Sequence, residues 1–433
     1  MTASTDGSKQ VQTPAGYAPL DAPAIRTLLA ELPEVAATLG GSPDRWGVRE
    51  VGDGNLNLVF LVNGSVGGVC VKQSLPHIRA IESWHLTVER TYFEQAYFRA
   101  VQPYAGRFIP AILYYEPHLY CIVMEQLTRH VVLRGGLIEG YRYPRVARDI
   151  AEFVACSTFF TSDLGQALEP KMDGVARFAA NHALLRITSD LVFTDPYRVS
   201  SLNRWTSPQL DAVAAEIRAD APLRIAAARR GRQFLASAQA LIHGDLHTGS
   251  VMVTPDDTRV IDPEFAFYGP IGMDLGAFAG NLLMNYFAQP GHATATDARE
   301  EHAAWVLAQI PVFWTHFRAR FLELWATQAR GDVYAPSMFA DSAGATALQA
   351  ERERFMGELF ADMLGFAAVK MIRRILGFAH NADFERITDP DRRAACERAV
   401  LDLARMLLVT PERFASIDDV LDAARDRAAK GSQ

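Results

Sequence analysis

Cysteine is scarce in this chain of 433 residues, and the four present, Cys70, Cys121, Cys156 and Cys396, stand far apart without the short spacing of a metal-binding pair. They read as small apolar core residues in a reducing compartment, which argues against a disulfide-stapled or zinc-built fold. An excess of positive charge is also missing. Lys and Arg number 43 against 50 Asp and Glu, a formal charge of −7, so the chain is not a basic nucleic-acid binder. No apolar run approaches the roughly 18 residues of a membrane span. The polar start, Met1 to about Pro19, lacks the apolar stretch of a signal peptide and reads as a loose tail. No internal repeat occurs, and no low-complexity tract beyond the two ends. What remains is an ordinary globular composition, 49% hydrophobic and 21% charged, at a length that favours two domains. The expectation is a cytoplasmic enzyme with a small-molecule partner, binding neither nucleic acid nor membrane.

Between Arg45 and Glu125 the pattern is mainly β, with strands expected over 47–51, 58–62, 66–72, 109–115 and 120–124 and one helix inserted over 87–101. Beyond Leu127 it turns helical, with helices expected over 143–162, 208–219, 303–329 and 351–378. The organisation predicted is a tail over 1–20, a small antiparallel sheet with one helix over 21–126, and a larger mainly helical part over 127–433, an α+β chain. Strands return only around 240–264.

That region carries the densest chemistry. Leu-Ile-His243-Gly-Asp245-Leu-His247-Thr-Gly-Ser250-Val-Met-Val is followed, after a turn, by Arg-Val-Ile-Asp262-Pro263-Glu264. Runs 251–254 and 259–261 flank Pro-Asp-Asp and predict a hairpin, whose antiparallel geometry puts Asp245, Asp262 and Glu264 at one end. Clustered acids either repel or hold a cation, and oxygen ligands of this kind suit Mg²⁺ with substrate phosphates. Asp245, after an apolar strand-like run and a glycine, is the candidate to orient an attacking hydroxyl and accept its proton; an Asx turn is the plainer reading. His243 and His247 brace that loop rather than ligate zinc, which needs three matched ligands.

Other signals are weaker singly. Gly52-Asp53-Gly54-Asn55-Leu56-Asn57 lies between predicted strands, and its glycines leave backbone amides open to an anion, although an empty hairpin turn would look the same. Lys72 ends the next strand after small and apolar residues, and Glu94 on the following helix is placed to pair with it, as in a kinase phosphate site. On a helix over 366–378, Lys370, Arg373 and Arg374 fall within an arc of about 100° on an otherwise apolar surface. Such a stripe faces either acids or a wet cleft. Trp84 is either core or a lid residue.

Together, the glycine loop, Lys72, Glu94, His243-Gly-Asp245 and Asp262-Pro-Glu264 resemble the protein-kinase-like fold of aminoglycoside and choline kinases. The strings Gly-Asp-Gly-Asn-Leu-Asn, Leu-Ile-His-Gly-Asp-Leu-His-Thr-Gly-Ser and Val-Ile-Asp-Pro-Glu-Phe-Ala-Phe-Tyr-Gly-Pro-Ile-Gly closely resemble the 5-methylthioribose kinase family. So do Glu82-Ser-Trp84, Gly136-Leu-Ile-Glu-Gly140, Leu191-Val-Phe-Thr-Asp-Pro196 and Ile372-Arg-Arg374, across about 45–376. The resemblance implies a bilobal kinase that phosphorylates the anomeric hydroxyl of 5-methylthioribose with ATP in methionine salvage, as a homodimer. It implies that Asn55 and Lys72 contact ATP and that Met124, Glu125 and Gln126 form the adenine-side hinge. Asp245 would meet the sugar hydroxyl, Asp262 and Glu264 would hold Mg²⁺ across Pro263, and Arg373, Arg374 and Trp84 would contact the sugar. Ser250 stands where many kinases have a metal-binding Asn, and Asp-Pro-Glu replaces Asp-Phe-Gly, both usual for the family. The alternatives are a kinase of the same fold for choline, an aminoglycoside or homoserine, and a nucleotide-binding regulator without catalysis.

Overall fold

The computed structural model describes residues 14–52, 56–78 and 81–431, apart from the side chains of 78, 81–83, 430 and 431. Its contacts divide the chain into two units. The first holds Met1–Arg129 with Asn181–Leu184 and Asp262–Phe265; the second holds His130–Ala180, Leu185–Ile261 and Ala266–Gln433.

In the first unit the strands are β1 (Gly47–Glu50), β2 (Asn57–Asn63), β3 (Gly68–Ser74), β4 (His77–Ile78), β5 (Ile81–His85), β6 (Ile112–Glu116) and β7 (Cys121–Glu125). Five form an antiparallel sheet in the order β1-β2-β3-β7-β6, and β4 pairs with β5. Side chains alternate along a strand. Phe60 and Val62 of β2, Val69 and Val71 of β3 and Val123 of β7 therefore bury together, against Ile25 and Leu29 of the helix Ala22–Ala30 and Val35 and Leu39 of the helix Pro33–Leu39. Each such side chain contributes about 1.5–3 kcal/mol when fully buried. Lys72, out of phase with Val69 and Val71, faces the opposite side and meets the helix Arg90–Ala105.

The expected loose tail over 1–20 is too long at its inner end. The Tyr17 hydroxyl donates to Ser74 O at 2.5 Å, and the Leu20 N–H donates to Gln73 Oε1 at 2.7 Å. Isolated anchors such as these leave no periodic trace, so composition could not reveal this docking. The two helices before Arg45 were equally invisible to the strand-based reading.

The second unit is mainly helical. Its long members are Val146–Thr161, Ala221–Ala236, Ile271–Ala288, Glu300–Thr327, Ser342–Leu376 and Pro390–Val409. The predicted hairpin forms: β10 (Val251–Val253) pairs antiparallel with β11 (Thr258–Val260). Before it come β8 (Val131–Val132), which adds to β10, and β9 (Ala240–Ile242), which pairs with β12 (Phe267–Gly269). β8 lies outside the region where strands were expected, because two residues cannot display a period of two. No helix among the described residues is long and apolar enough to cross a membrane.

One crossing positions much of the unit. The helix Ile271–Ala288 presents Gly272, Gly276 and Gly280 toward the helix Ser342–Leu376. A Cβ on Gly276 would lie 2.6 Å from both Ala367 N and Met363 O. Residues four apart share a helix face, so the glycines let the two backbones meet. Leu191 to Thr194 fall in a π-helical turn, Ser189–Thr194, whose Phe193 packs on Phe234 and Phe366.

Candidate active site

The structure gathers most of the predicted residues into two clusters, one in each unit. In the first, Lys72 Nζ lies 2.6 Å from Glu94 Oε2 and also contacts Asp262 Oδ1. Glu264 Oε2 accepts from Asn57 Nδ2 at 3.1 Å and lies 3.2 Å from Arg90 Nε. Arg90 is wholly buried and donates to Leu75 O and Asn57 Oδ1. Arg90 and Glu94 are one helical turn apart and so share a face. Asp262 sits at φ 70°, a left-handed conformation that Asp tolerates better than most residues.

Ligand oxygens of Glu94, Asp262 and Glu264 all lie within 4.8 Å of one another. Two cations, Lys72 and Arg90, face these three carboxylates. Burial pushes Glu94 up to about 8 and raises Glu264. Burial alone would depress the Lys72 ammonium, but Asp262 and Glu94 together hold its pKa raised. An acid surplus of this kind is relieved by a divalent cation, and carboxylate oxygens are the donors Mg²⁺ prefers.

In the second unit, Asp245 lies on the loop after β9. Gly244 precedes it at φ 82°, a conformation that suits glycine. Asp274, in the first turn of the helix Ile271–Ala288, accepts from His243 N at 2.7 Å and from Gly244 N at 3.0 Å. His243 Nδ1 accepts from Asp245 N, so its Nε2–H donates to Ile261 O at 2.9 Å. His247 Nδ1 accepts from Gly249 N, which puts its hydrogen on Nε2, 3.4 Å from Asp245 Oδ2. The histidines brace the loop through hydrogen bonds. Ser250 is buried, and its hydroxyl donates to Asp245 O at 3.1 Å.

Cations crowd the Asp245 carboxylate. Lys370 Nζ is 2.7 Å from Oδ1 and Arg374 Nη2 is 3.8 Å from Oδ2. Burial opposes the charge of Asp245, but Lys370, His247, Arg374 and Arg373 outweigh it and hold the carboxyl well below the usual range. The cations are depressed despite the pull of Asp245: burial and Arg374 bring Arg373 down to about 9, and burial lowers Lys370. Arg134, brought down to about 10 by burial and Arg374, lies 3.5 Å from Asp383 Oδ2 and donates to Thr248 Oγ1 and Asn281 Oδ1. The predicted basic stripe thus meets an acid and still keeps donors unused: Arg373 Nε and Nη1 are buried without a hydrogen-bond partner among the described residues.

The remaining predicted residues are dispersed. Met124 and Glu125 end β7, with Glu125 Oε2 accepting from Ala111 N at 3.2 Å, and Gln126 follows them. Trp84 is half-buried on β5. Pro263 is buried between Asp262 and Glu264. Asn55, with Asp53 and Gly54 of the glycine loop, lies outside the described residues. Lys370, Arg90, Arg134 and Asp274 are the side chains that site prediction left out. Lys370 was on the recognised stripe, and the spacing of Arg90 to Glu94 was readable; Arg134 and Asp274 carried no local signal.

Over residues 47–313 the chain matches the family described as "Phosphotransferase enzyme family". It is 43% identical over 410 residues to "Methylthioribose kinase 1" of Oryza sativa subsp. japonica, covering 94% of this chain and 95% of that one. To "Methylthioribose kinase" of Escherichia coli O45:K1 (strain S88 / ExPEC) it is 41% identical over 414 residues, covering 95% and 98%. The protein of the same name from Geobacillus sp. (strain WCH70) is 38% identical over 375 residues, covering 86% and 88%.

Proposed function

The chain belongs to the methylthioribose kinase family of phosphotransferases, and on that footing we propose that it transfers the γ-phosphate of ATP to the 1-hydroxyl of 5-methylthioribose. The products are S-methyl-5-thio-α-D-ribose 1-phosphate and ADP, in methionine salvage. One observation carries the substrate class: Asp245 is ringed by Lys370, Arg373 and Arg374. Such surroundings repel a cationic alcohol such as choline or an aminoglycoside and suit a neutral polyol that becomes an anion.

Asp245 orients the anomeric hydroxyl and takes its proton as the sugar oxygen bonds to phosphorus; the bond from phosphorus to the bridging oxygen breaks, its electron pair leaving on ADP. A carboxylate held this acidic acts by positioning more than by basicity. Arg373 and Arg374 donate to the ribose hydroxyls and balance the phosphoryl charge. Lys72, tied to Glu94, and Asn55 contact the phosphates of ATP, and Met124, Glu125 and Gln126 the adenine side. Asp262 and Glu264, with Pro263 setting the turn between them, would hold Mg²⁺, with Ser250 a further candidate ligand. Bound there, the ion would neutralise phosphate charge. Trp84 shields the sugar from water. The domain division proposed is a nucleotide part over 21–126 and a catalytic part over 127–433, in a cytoplasmic homodimer.

The purified chain with ATP, Mg²⁺ and 5-methylthioribose should form ADP and the sugar 1-phosphate in equal amounts, and chelation of the cation should stop it. Turnover of choline, an aminoglycoside or homoserine in place of the sugar would overturn the assignment. Light scattering that returned the mass of one chain would overturn the dimer.

A further inference from the structure

Lys370 is buried on the helix Ser342–Leu376, one turn before Arg373 and Arg374, so the three share a face. Its ammonium carries three N–H donors. One is directed to Asp245 Oδ1 at 2.7 Å, and among the described residues this carboxylate is its one hydrogen-bond acceptor. Beside it Arg373 keeps Nε and Nη1 buried and unpartnered. Buried donors without acceptors are costly, and a purely structural ion pair would avoid them. One helix face therefore offers several desolvated donors from two cations, next to the carboxylate that meets the hydroxyl. The group that satisfies them must bring several acceptor oxygens and negative charge, which is the chemistry of a phosphoryl group.

We infer that Lys370 bridges Asp245 and the transferring phosphoryl group, holding the carboxylate through one N–H and donating the other two to phosphoryl oxygens, with Arg373 beside it. The inference rests on the reaction proposed above. The sugar oxygen forms its bond to phosphorus, ADP leaves with the electron pair of the broken bond, and the hydroxyl proton passes to Asp245 and then to solvent; Lys370 keeps its protons throughout. As phosphoryl oxygens draw on the ammonium, its grip on Asp245 weakens. The carboxylate thus becomes more basic when the hydroxyl proton has to leave.

The test compares wild type, Lys370→Met and Lys370→Arg as full chains, with folding checked by thermal melts and ATP binding by calorimetry. Lys370→Met should lower kcat about 10²–10³-fold with little change in KM for the sugar, and Lys370→Arg should recover at least a tenth of the wild-type rate. Calorimetry with orthophosphate, which does not depend on the identity of the sugar, should show binding to wild type weakened at least tenfold by Lys370→Met and kept by Lys370→Arg. A kcat within threefold of wild type in Lys370→Met, equal orthophosphate affinity in the two, or no orthophosphate binding by wild type at millimolar concentration each overturns the bridge. Absence of sugar turnover in wild type, with the orthophosphate pattern intact, would instead indict the substrate assignment.

Discussion

A carboxylate surrounded by four cationic or proton-bearing side chains is a poor base and a well-held acceptor, and the behaviour of Asp245 variants should show that division. Asp245→Asn keeps the shape and removes the charge; transfer should fall about 10²–10⁴-fold while calorimetry finds ATP binding nearly unchanged. Survival of activity would show that another group meets the hydroxyl. Arg90 makes the opposite case, a residue whose loss should register in stability first. Its guanidinium is wholly buried against Glu264 and Asn57. Arg90→Met takes the guanidinium donor from Asn57 Oδ1 and the counter-charge from buried Glu264, and chemical denaturation should show a loss of about 3–5 kcal/mol. At this scale the sequence was informative where chemistry is local: His243, Gly244 and Asp245 hydrogen-bond within their own loop. Arg90 shows the limit, because its one-turn spacing to Glu94 was visible but not the acid it would meet on Glu264.

Among elements, the crossing of Ile271–Ala288 with Ser342–Leu376 sets where both halves of the second unit's cluster stand. The first helix carries Asp274, which pins His243 and Gly244; the second carries Lys370, Arg373 and Arg374. Gly276 lies where a Cβ would strike backbone atoms, which cannot rotate away. Gly276→Ala should therefore cost about 1–3 kcal/mol by denaturant titration, and the shift of the helices should raise the KM for the sugar, whereas Gly357→Ala, in open space, should do neither. Helix existence was legible from composition and periodicity. Helix contact was not, since a glycine in a helical run reads first as a weakness.

The whole molecule should respond to pH from two sides. His247 is held well below its usual range by burial, with Arg134 and Arg374 adding repulsion, so the unfolded chain binds the proton first. The stability it contributes is complete above about pH 6.5 and is lost as pH falls below that value. Glu397, pushed up to about 7 by burial against the pull of Thr206 and Arg393, has the opposite sign. Its contribution is complete below its unfolded value and is lost as pH rises through 7. The two windows overlap from about 4.5 to 6.5, where the opposed slopes offset, so melting temperature should show a broad maximum there and fall toward lower pH and toward pH 7. His247→Gln should flatten the acid limb and Glu397→Gln the alkaline one. A single monotonic curve unaltered by Glu397→Gln would contradict the second assignment.

From the sequence alone came the α+β class, the small sheet, the β10–β11 hairpin and the short chain segments that carry Lys72, Asp245, Asp262 and Glu264. Each rests on interactions within a few residues: alternation along a strand, turn chemistry, the spacing of a motif. Tertiary structure decided which charges meet. Lys370 reaches Asp245 across 125 residues and Asn57 reaches Glu264 across 207. Periodicity tells a helix which face to bury but carries no record of the partner. That choice is made when backbones close on glycines and desolvated charges find the few groups able to satisfy them.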